Sequence, residues 1–123
     1  MKIYEDRDLF IEVEESEIPW LKIFTQTPYK ELSELPAQTR ERLFLVLDIV
    51  EKEMLAFFKP DKINIASFGN YLPRLHIHIM ARFRNDSWFP EPTWGQKQRE
   101  GSYRMEHFER FRDNLSARLE SLQ

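Results

Sequence analysis

The stretch RLHIHIM, residues 74–80, alternates polar and apolar side chains as a half-buried β-strand does. Successive side chains of a strand point to opposite faces, so the aliphatic residues turn toward a core while His76 and His78 share the other face with Arg74. Two of the chain's three histidines therefore stand side by side on one face of a predicted sheet. This face is the strongest candidate for a functional site.

Length and composition bound the kinds of protein that this chain can be. A chain of 123 residues fits one domain, so we expect residues 1–123 to fold as a single domain. A net charge of −3 disfavours a general nucleic-acid binder, and the absence of cysteine excludes disulfides and thiolate zinc sites. No apolar run approaches the roughly 20 residues that span a bilayer, and the charged N-terminus lacks the apolar core of a signal peptide. We expect a cytoplasmic protein without membrane contact.

Turn-forming residues divide the rest of the chain into further strands. The turn signal at residues 16–19 lies between two strand-like runs and predicts a hairpin, and Gly69-Asn70 separates a third run from the histidine strand. The expected strands are residues 8–13, residues 20–24, residues 62–68 and a histidine strand that runs to Phe83.

Two segments have helical periodicity. The first lies between Pro36, which suits a helix start, and Lys59-Pro60, which ends one, and the second covers residues 103–122. Each has one apolar face, which predicts that it packs on the sheet. The fold class expected is therefore α+β, with an antiparallel sheet, one long helix and a C-terminal helix. The apolar positions are Leu43, Val46, Leu47, Val50, Met54 and Phe57 in the first helix and Phe108, Phe111, Leu115, Leu119 and Leu122 in the second.

A loop-like segment at residues 84–101 carries two tryptophans and two prolines. Such a composition predicts that the segment packs against something, either a partner subunit or, more simply, the surface of its own domain. For Trp94 and Gln96 we favour packing roles.

The histidine face has three interpretations on residues and spacing alone. The histidines can be ordinary hydrogen-bonded residues with no special role. They can chelate a metal, but zinc sites normally need three protein ligands, and His107 suits a surface or capping position. A carboxylate could complete the set, although the sequence does not identify which one. We therefore predict neither a metal nor another cofactor. Lastly, a neutral imidazole can attack phosphorus while a second imidazole or a guanidinium stabilises the developing charge.

Residues 69–82 resemble the signature of the histidine triad (HIT) family, which is His-x-His-x-His-x-x with apolar x. The preceding Gly-Asn and the Phe-Pro-x-Pro-x-Trp-Gly at residues 89–95 resemble a bacterial branch often described as diadenosine polyphosphate hydrolase-like. The likeness covers most of the chain, with residues 62–95 as its specific part. It implies a HIT-like fold, a small-molecule nucleotide substrate, nucleotide hydrolase or nucleotidyl transferase activity, and a homodimer.

The resemblance also implies roles for the residues of the strand. His76 corresponds to the family's nucleophile, which attacks the α-phosphorus and forms a nucleotidyl-histidine intermediate that water releases as a nucleoside monophosphate. This attack requires the near nitrogen of His76 to donate to a backbone carbonyl, so that the far nitrogen is free. His78 is then expected to bind phosphate oxygens or the leaving group.

Arg74 stands where the family has its first histidine. A guanidinium offers a planar fork for phosphate but stays charged near neutral pH, so it cannot donate a proton. The leading hypothesis is an enzyme that acts through His76, and the alternative is a nucleotide-binding protein with weak or no turnover.

Four further residues are candidates because of the resemblance. Asn70 is expected to donate to a phosphate, although it also suits a plain turn. Phe10 and Ile11 are expected to line the nucleotide pocket, and both are equally well explained as core residues. Glu14 is expected to meet the ribose hydroxyls, because a carboxylate accepts two such hydrogen bonds, and its alternative is a solvated acid.

Overall fold

The computed structural model describes all of residues 1–123, which form one five-stranded sheet and two α-helices. Neighbouring strands are antiparallel throughout. The strands are β1 (Lys2–Glu5), β2 (Leu9–Val13), β3 (Trp20–Thr25), β4 (Lys62–Ala66) and β5 (His76–Arg82). Their order across the sheet is β1-β2-β3-β5-β4, so β5, which carries both histidines, lies between β3 and β4.

Two helices pack against the sheet. The long helix α1 (Ala37–Phe58) contacts β2, β3 and β5, and the C-terminal helix α2 (Phe108–Glu120) contacts β1 and α1. A single 3-10 turn at Leu32–Glu34 precedes α1. Lys59 has a φ of 50°, in the left-handed region, and this ends α1 directly before Pro60. The expected α+β class, with one long helix and one C-terminal helix, is confirmed.

The core lies between the helices and the apolar face of the sheet. Ile11, Leu21 and Ile79 supply it from three different strands, and all are fully buried. Each aliphatic side chain of this kind contributes about 1.5–3 kcal/mol when it leaves water. The predicted apolar face of α1 is confirmed: Leu43, Val46, Val50 and Met54 are buried, and Leu47 and Phe57 are half-buried against them.

The predicted strands differ in their bounds: β2 begins at Leu9, β3 ends at Thr25, β4 ends at Ala66 rather than at residue 68, and β5 ends at Arg82 rather than at residue 83. Two further differences concern β1 and the start of β5. The sequence prediction has no strand at β1, where two of the four residues, KIYE, are charged; the strand forms by pairing with β2 along an edge of the sheet. The histidine strand begins at His76 rather than at Arg74. Pro73 has no N–H to donate, and the N–H of Arg74 bonds to the carbonyl of Leu72 in a turn, so neither residue joins the ladder.

The C-terminal helix is shorter than residues 103–122. His107 has a φ of 60°, in the left-handed region, so regular helix starts only at Phe108. The side chain of His107 is exposed and makes no capping hydrogen bond. Leu122 lies beyond the helix end and is exposed, whereas the buried residues of the helix are Phe111, Leu115 and Leu119, as predicted.

Residues 84–101 pack on the molecule's own surface. The carboxylate of Asp86 is fully buried and lies 2.9 Å from Nε of Arg82, and Ser87 donates to Glu17 at 2.6 Å. Burial raises the pKa of Asp86, but hydrogen bonds from Arg82 and three backbone N–H groups outweigh it, so the pKa is lowered overall. The loop is therefore anchored to the end of β5. None of the helices has the length and hydropathy that a membrane-spanning segment needs.

Candidate active site

The face of the sheet opposite the helices carries a row of rings. Phe10 on β2 lies opposite Phe24 on β3, which lies opposite His76 on β5. The ring centroids of Phe10 and Phe24 are 4.9 Å apart and nearly parallel, and those of Phe24 and His76 are also 4.9 Å apart. His78 lies opposite Lys22, and its ring is 4.9 Å from that of His76. The two histidines therefore share a face, as the alternation predicts.

His76 has one ring nitrogen bound to the backbone. Its Nδ1 lies 2.9 Å from the carbonyl oxygen of Arg74, and His76 is only 9% exposed. A carbonyl oxygen can only accept, so Nδ1 carries the proton and the neutral ring has its lone pair on Nε2. This is the hydrogen bond that an attacking imidazole requires.

His78 is buried in a different environment. Trp20, its diagonal neighbour on β3, donates from Nε1 to Nδ1 of His78 at 3.0 Å. Burial, followed by the positive charges of a protonated His76 and of Lys22, lowers the pKa of His78 to about 4, and the carboxylate of Glu14 opposes this shift. His78 is therefore uncharged at neutral pH.

A cavity of about 290 Å³ opens in front of the two histidines. Trp94, from the loop after β5, forms one wall, with its ring 4.9 Å from that of His78 and 4.7 Å from that of Phe68. The remaining wall comes from the segment before β5. The lining residues are Phe68, Gly69, Asn70, Tyr71, Leu72, His76, His78 and Trp94.

Arg74 does not line this cavity. Its guanidinium donates to the carbonyl of Thr25, and its central carbon lies 5.7 Å from the ring centroid of Phe10 and 5.5 Å from that of Phe24. Nε of Arg74 is buried and has no hydrogen-bond partner. The guanidinium of Arg74 is therefore held beside the aromatic row, and the backbone carbonyl of Arg74 is the group that binds His76.

The other candidates separate into two groups. Asn70 lies at the cavity, and Phe10 stands at the end of the aromatic row. The expectation for Ile11 is wrong: it points to the opposite face and is fully buried in the core, because it is one residue out of phase with Phe10. Glu14 pairs with Lys22 at 3.1 Å and lines a second cavity of about 420 Å³ at the end of the β2–β3 hairpin.

Several residues at the site are absent from the sequence prediction of site residues, among them Trp20, Lys22 and Phe68. Trp20 and Lys22 alternate with the core residues of β3 and so face the histidines, a phase that the sequence of β3 contains. Phe68 falls within the strand predicted at residues 62–68, whose alternation places it on the face of Ala66 and His78, but β4 ends at Ala66 and Phe68 lines the cavity from the segment after it. The packing prediction for Trp94 does not anticipate its contact with His78.

No three His, Cys, Asp or Glu side chains lie close enough together to hold a metal ion. Two acidic residues lie near Lys22, which is opposite His78. Glu12 on β2 is opposite Lys22, and Glu14, directly after β2, is paired with Lys22.

Comparisons with known proteins agree with this fold. A family model described as the HIT domain matches residues 2–85. The chain is similar to a histidine triad protein from Marinobacter aquaeolei VT8, with 29% identity and a TM-score of 0.80 over 100% of this chain and 90% of that one. It is similar to histidine triad proteins from Bradyrhizobium japonicum (26% identity, TM-score 0.74, 98% of this chain and 88% of that one) and Sinorhizobium meliloti 1021 (25%, 0.74, 98% and 87%). No curated protein matches the chain.

Proposed function

Because this chain belongs to the HIT domain family, whose members bind nucleotides and are often nucleotide hydrolases, we propose that it cleaves a nucleoside phosphoanhydride or phosphoramidate through His76. The observation that carries the proposal is the hydrogen bond from Nδ1 of His76 to the carbonyl of Arg74. It leaves the Nε2 lone pair free for a substrate in the cavity, and a neutral imidazole of this kind is a nucleophile.

The proposed reaction has two displacements at one phosphorus. Nε2 of His76 attacks the α-phosphorus, and an N–P bond forms while the bond to the leaving group breaks, with its electron pair going to the leaving group. Water then attacks the same phosphorus, the N–P bond breaks, and its electron pair returns to Nε2. The products are a nucleoside monophosphate and the leaving group, which exchange protons with solvent.

The groups around His76 divide the binding work. His78 and Asn70 bind non-bridging oxygens. Arg74 is permanently charged, but its guanidinium reaches phosphate only when it releases the carbonyl of Thr25. Lys22 holds one carboxylate oxygen of Glu14, and the other is available to ribose hydroxyls.

Aromatic surfaces on both sides of the histidine pair favour a substrate with two ring systems. Phe10, half-buried at the end of the aromatic row, lies on one side, because Phe24 is 5% exposed and stacks between Phe10 and His76; Phe68 and Trp94, 56% and 48% exposed, form the surface on the other side. Flat bases stack well on such rings. The bacterial branch that the sequence resembles is often described as diadenosine polyphosphate hydrolase-like, and diadenosine polyphosphates have a base on each side of the scissile phosphate.

Product release from diadenosine polyphosphates and adenosine phosphoramidates tests the proposal. The wild-type protein is expected to release adenosine monophosphate, and His76→Ala to lose more than about 1,000-fold in rate because the nucleophile is gone. His107→Ala is the matched control, since this third histidine is exposed and lies outside the site. No product from either substrate, or equal rates for wild type and His76→Ala, would contradict it.

A second candidate function is nucleotide binding with little turnover. The observation that favours it is the position of Arg74, which stands at the first triad position, stays charged, and is bound to Thr25 instead of lining the cavity. It predicts calorimetric binding of a mononucleotide without a covalent product. A nucleotidyl adduct on His76, detected by mass spectrometry, would exclude it.

A further inference from the structure

We infer that Trp20 is a positioning residue, which holds the His78 ring in the tautomer whose proton is on Nε2 and so makes this nitrogen a donor to the substrate's phosphoryl oxygen. That the acceptor of this N–H is a phosphoryl oxygen of the substrate rests on the proposed function. The tautomer itself rests only on the hydrogen bond between the two rings.

The donor in this hydrogen bond is unambiguous. An indole N–H donates and has no lone pair to accept, so the nitrogen that it meets must be unprotonated. Nε1 of Trp20 lies 3.0 Å from Nδ1 of His78. The neutral ring therefore carries its proton on Nε2.

Both rings are fixed in this arrangement by their surroundings. Trp20 lies opposite Met80 in the β3–β5 register, which makes it the diagonal neighbour of His78. The Trp20 ring packs edge to face against Trp94, with centroids 5.2 Å apart. His78 is 8% exposed, so water does not compete freely for its Nδ1.

The consequence is that the two histidines present opposite groups. The carbonyl of Arg74 accepts a hydrogen bond from Nδ1–H of His76, so the lone pair of that ring is on Nε2, while the indole N–H of Trp20 donates to the Nδ1 lone pair of His78, so the N–H of that ring is on Nε2. Phosphoryl transfer needs one of each, a lone pair for the phosphorus and a donor for the charge on its oxygens. With the other tautomer, His78 would turn a lone pair toward an anionic oxygen.

The tautomers can be read directly in the ligand-free, full-length protein. Long-range ¹H–¹⁵N correlation spectra at neutral pH distinguish protonated from unprotonated ring nitrogens, and the chain has only three histidines to assign. In the wild type we expect His78 protonated at Nε2 and His76 at Nδ1. In Trp20→Phe we expect the ratio of the two His78 tautomers to move toward Nδ1–H by about tenfold, because one neutral hydrogen bond is lost.

Trp94→Phe is the matched control for the tautomer. Its ring also touches His78, at 4.9 Å, but it donates no hydrogen bond to that ring, so the tautomer is expected to stay at Nε2–H. The inference is overturned if wild-type His78 carries its proton on Nδ1, or if Trp20→Phe leaves the tautomer unchanged. If Trp20→Phe does not fold, the wild-type spectrum alone decides.

The proposed function and the role of Trp20 can fail independently of each other. A protein that hydrolyses no nucleotide but has the expected tautomers would contradict the hydrolase and support the role of Trp20 at the ring. Where turnover is present, Trp20→Phe is expected to lower kcat about tenfold and to change KM little, since the donor acts on charge that develops in the transition state.

Discussion

At the level of single residues, the burial of His78 makes the stability of the protein depend on pH. Burial and the charges of His76 and Lys22 lower the pKa of His78 to about 4, and Glu14 offsets this only in part. A histidine in an unfolded chain has a pKa of about 6.5. The unfolded chain thus takes up this proton at a higher pH than the folded one, so the stability present above pH 6.5 is lost as the pH falls toward 4.

We expect His78 alone to lower the free energy of unfolding by up to about 3 kcal/mol between pH 6.5 and pH 4. His78→Gln keeps an oxygen that can accept from Trp20 but does not titrate, so its stability should change less over this window. Urea unfolding at several pH values measures both. His107→Gln, at an exposed position, should keep the wild-type dependence, and the same dependence in His78→Gln would contradict the assignment.

Lys22 contributes to the same titration through its charge. It lies opposite His78 and is paired with Glu14 at 3.1 Å. Lys22→Met removes a positive charge and leaves the carboxylate of Glu14 unopposed, and both changes favour a protonated His78. We expect an NMR titration to show the pKa of His78 raised by about half a unit to one unit, while Lys22→Arg stays near the wild type. A lowered pKa in Lys22→Met would rule this out.

At the level of elements, one buried ion pair joins β5 to the loop that carries Trp94. Arg82 is 2% exposed and Asp86 0%, and Asp86 also accepts from the backbone N–H of Phe83 and from two backbone N–H groups of the loop. Asp86→Ala leaves the guanidinium buried without its partner, which costs about 3–5 kcal/mol. We expect thermal unfolding to show a destabilisation of this size.

Asp113→Ala is the control for the ion pair. Asp113 is paired with Arg112 at 3.2 Å but is 71% exposed, so its loss should change stability by less than about 1 kcal/mol. If the two variants unfold at similar temperatures, the pair between Arg82 and Asp86 does not anchor the loop.

The elements also show how far alternation and periodicity reach. Period-2 alternation predicted which side chains of β5 share a face, and helical periodicity predicted the buried face of α1. The same alternation excludes Ile11 from any face that holds Phe10, because the two are consecutive. Alternation alone does not predict the hydrogen bond between Trp20 and His78, since the two residues are 58 positions apart and their contact depends on which strand lies beside β5. The periodicity of one segment does not reveal which strand lies beside it in the sheet.

At the level of the whole molecule, the sheet has two free edges with different surfaces. The strand at one edge, β1, carries an exposed ion pair between Lys2 and Glu5, and charged side chains on an edge strand discourage pairing with another chain. At β4 the edge carries Ile65, 48% exposed, and Phe68, 56% exposed, follows it. The homodimer that the family resemblance predicts is therefore expected to form at β4.

The homodimer and its contact can be tested together by light scattering at micromolar concentration. The wild-type protein is expected to be a dimer, and Ile65→Lys a monomer, because a charge on this edge opposes strand pairing between two copies. Phe44→Lys is the matched control: Phe44 is an equally exposed apolar residue, 51%, but it lies on α1, so this variant should remain a dimer. A monomeric wild type would contradict the dimer itself. If Ile65→Lys were dimeric and Phe44→Lys monomeric, the two copies would meet through α1 and leave the β4 edge, with the cavity beside it, open to solvent.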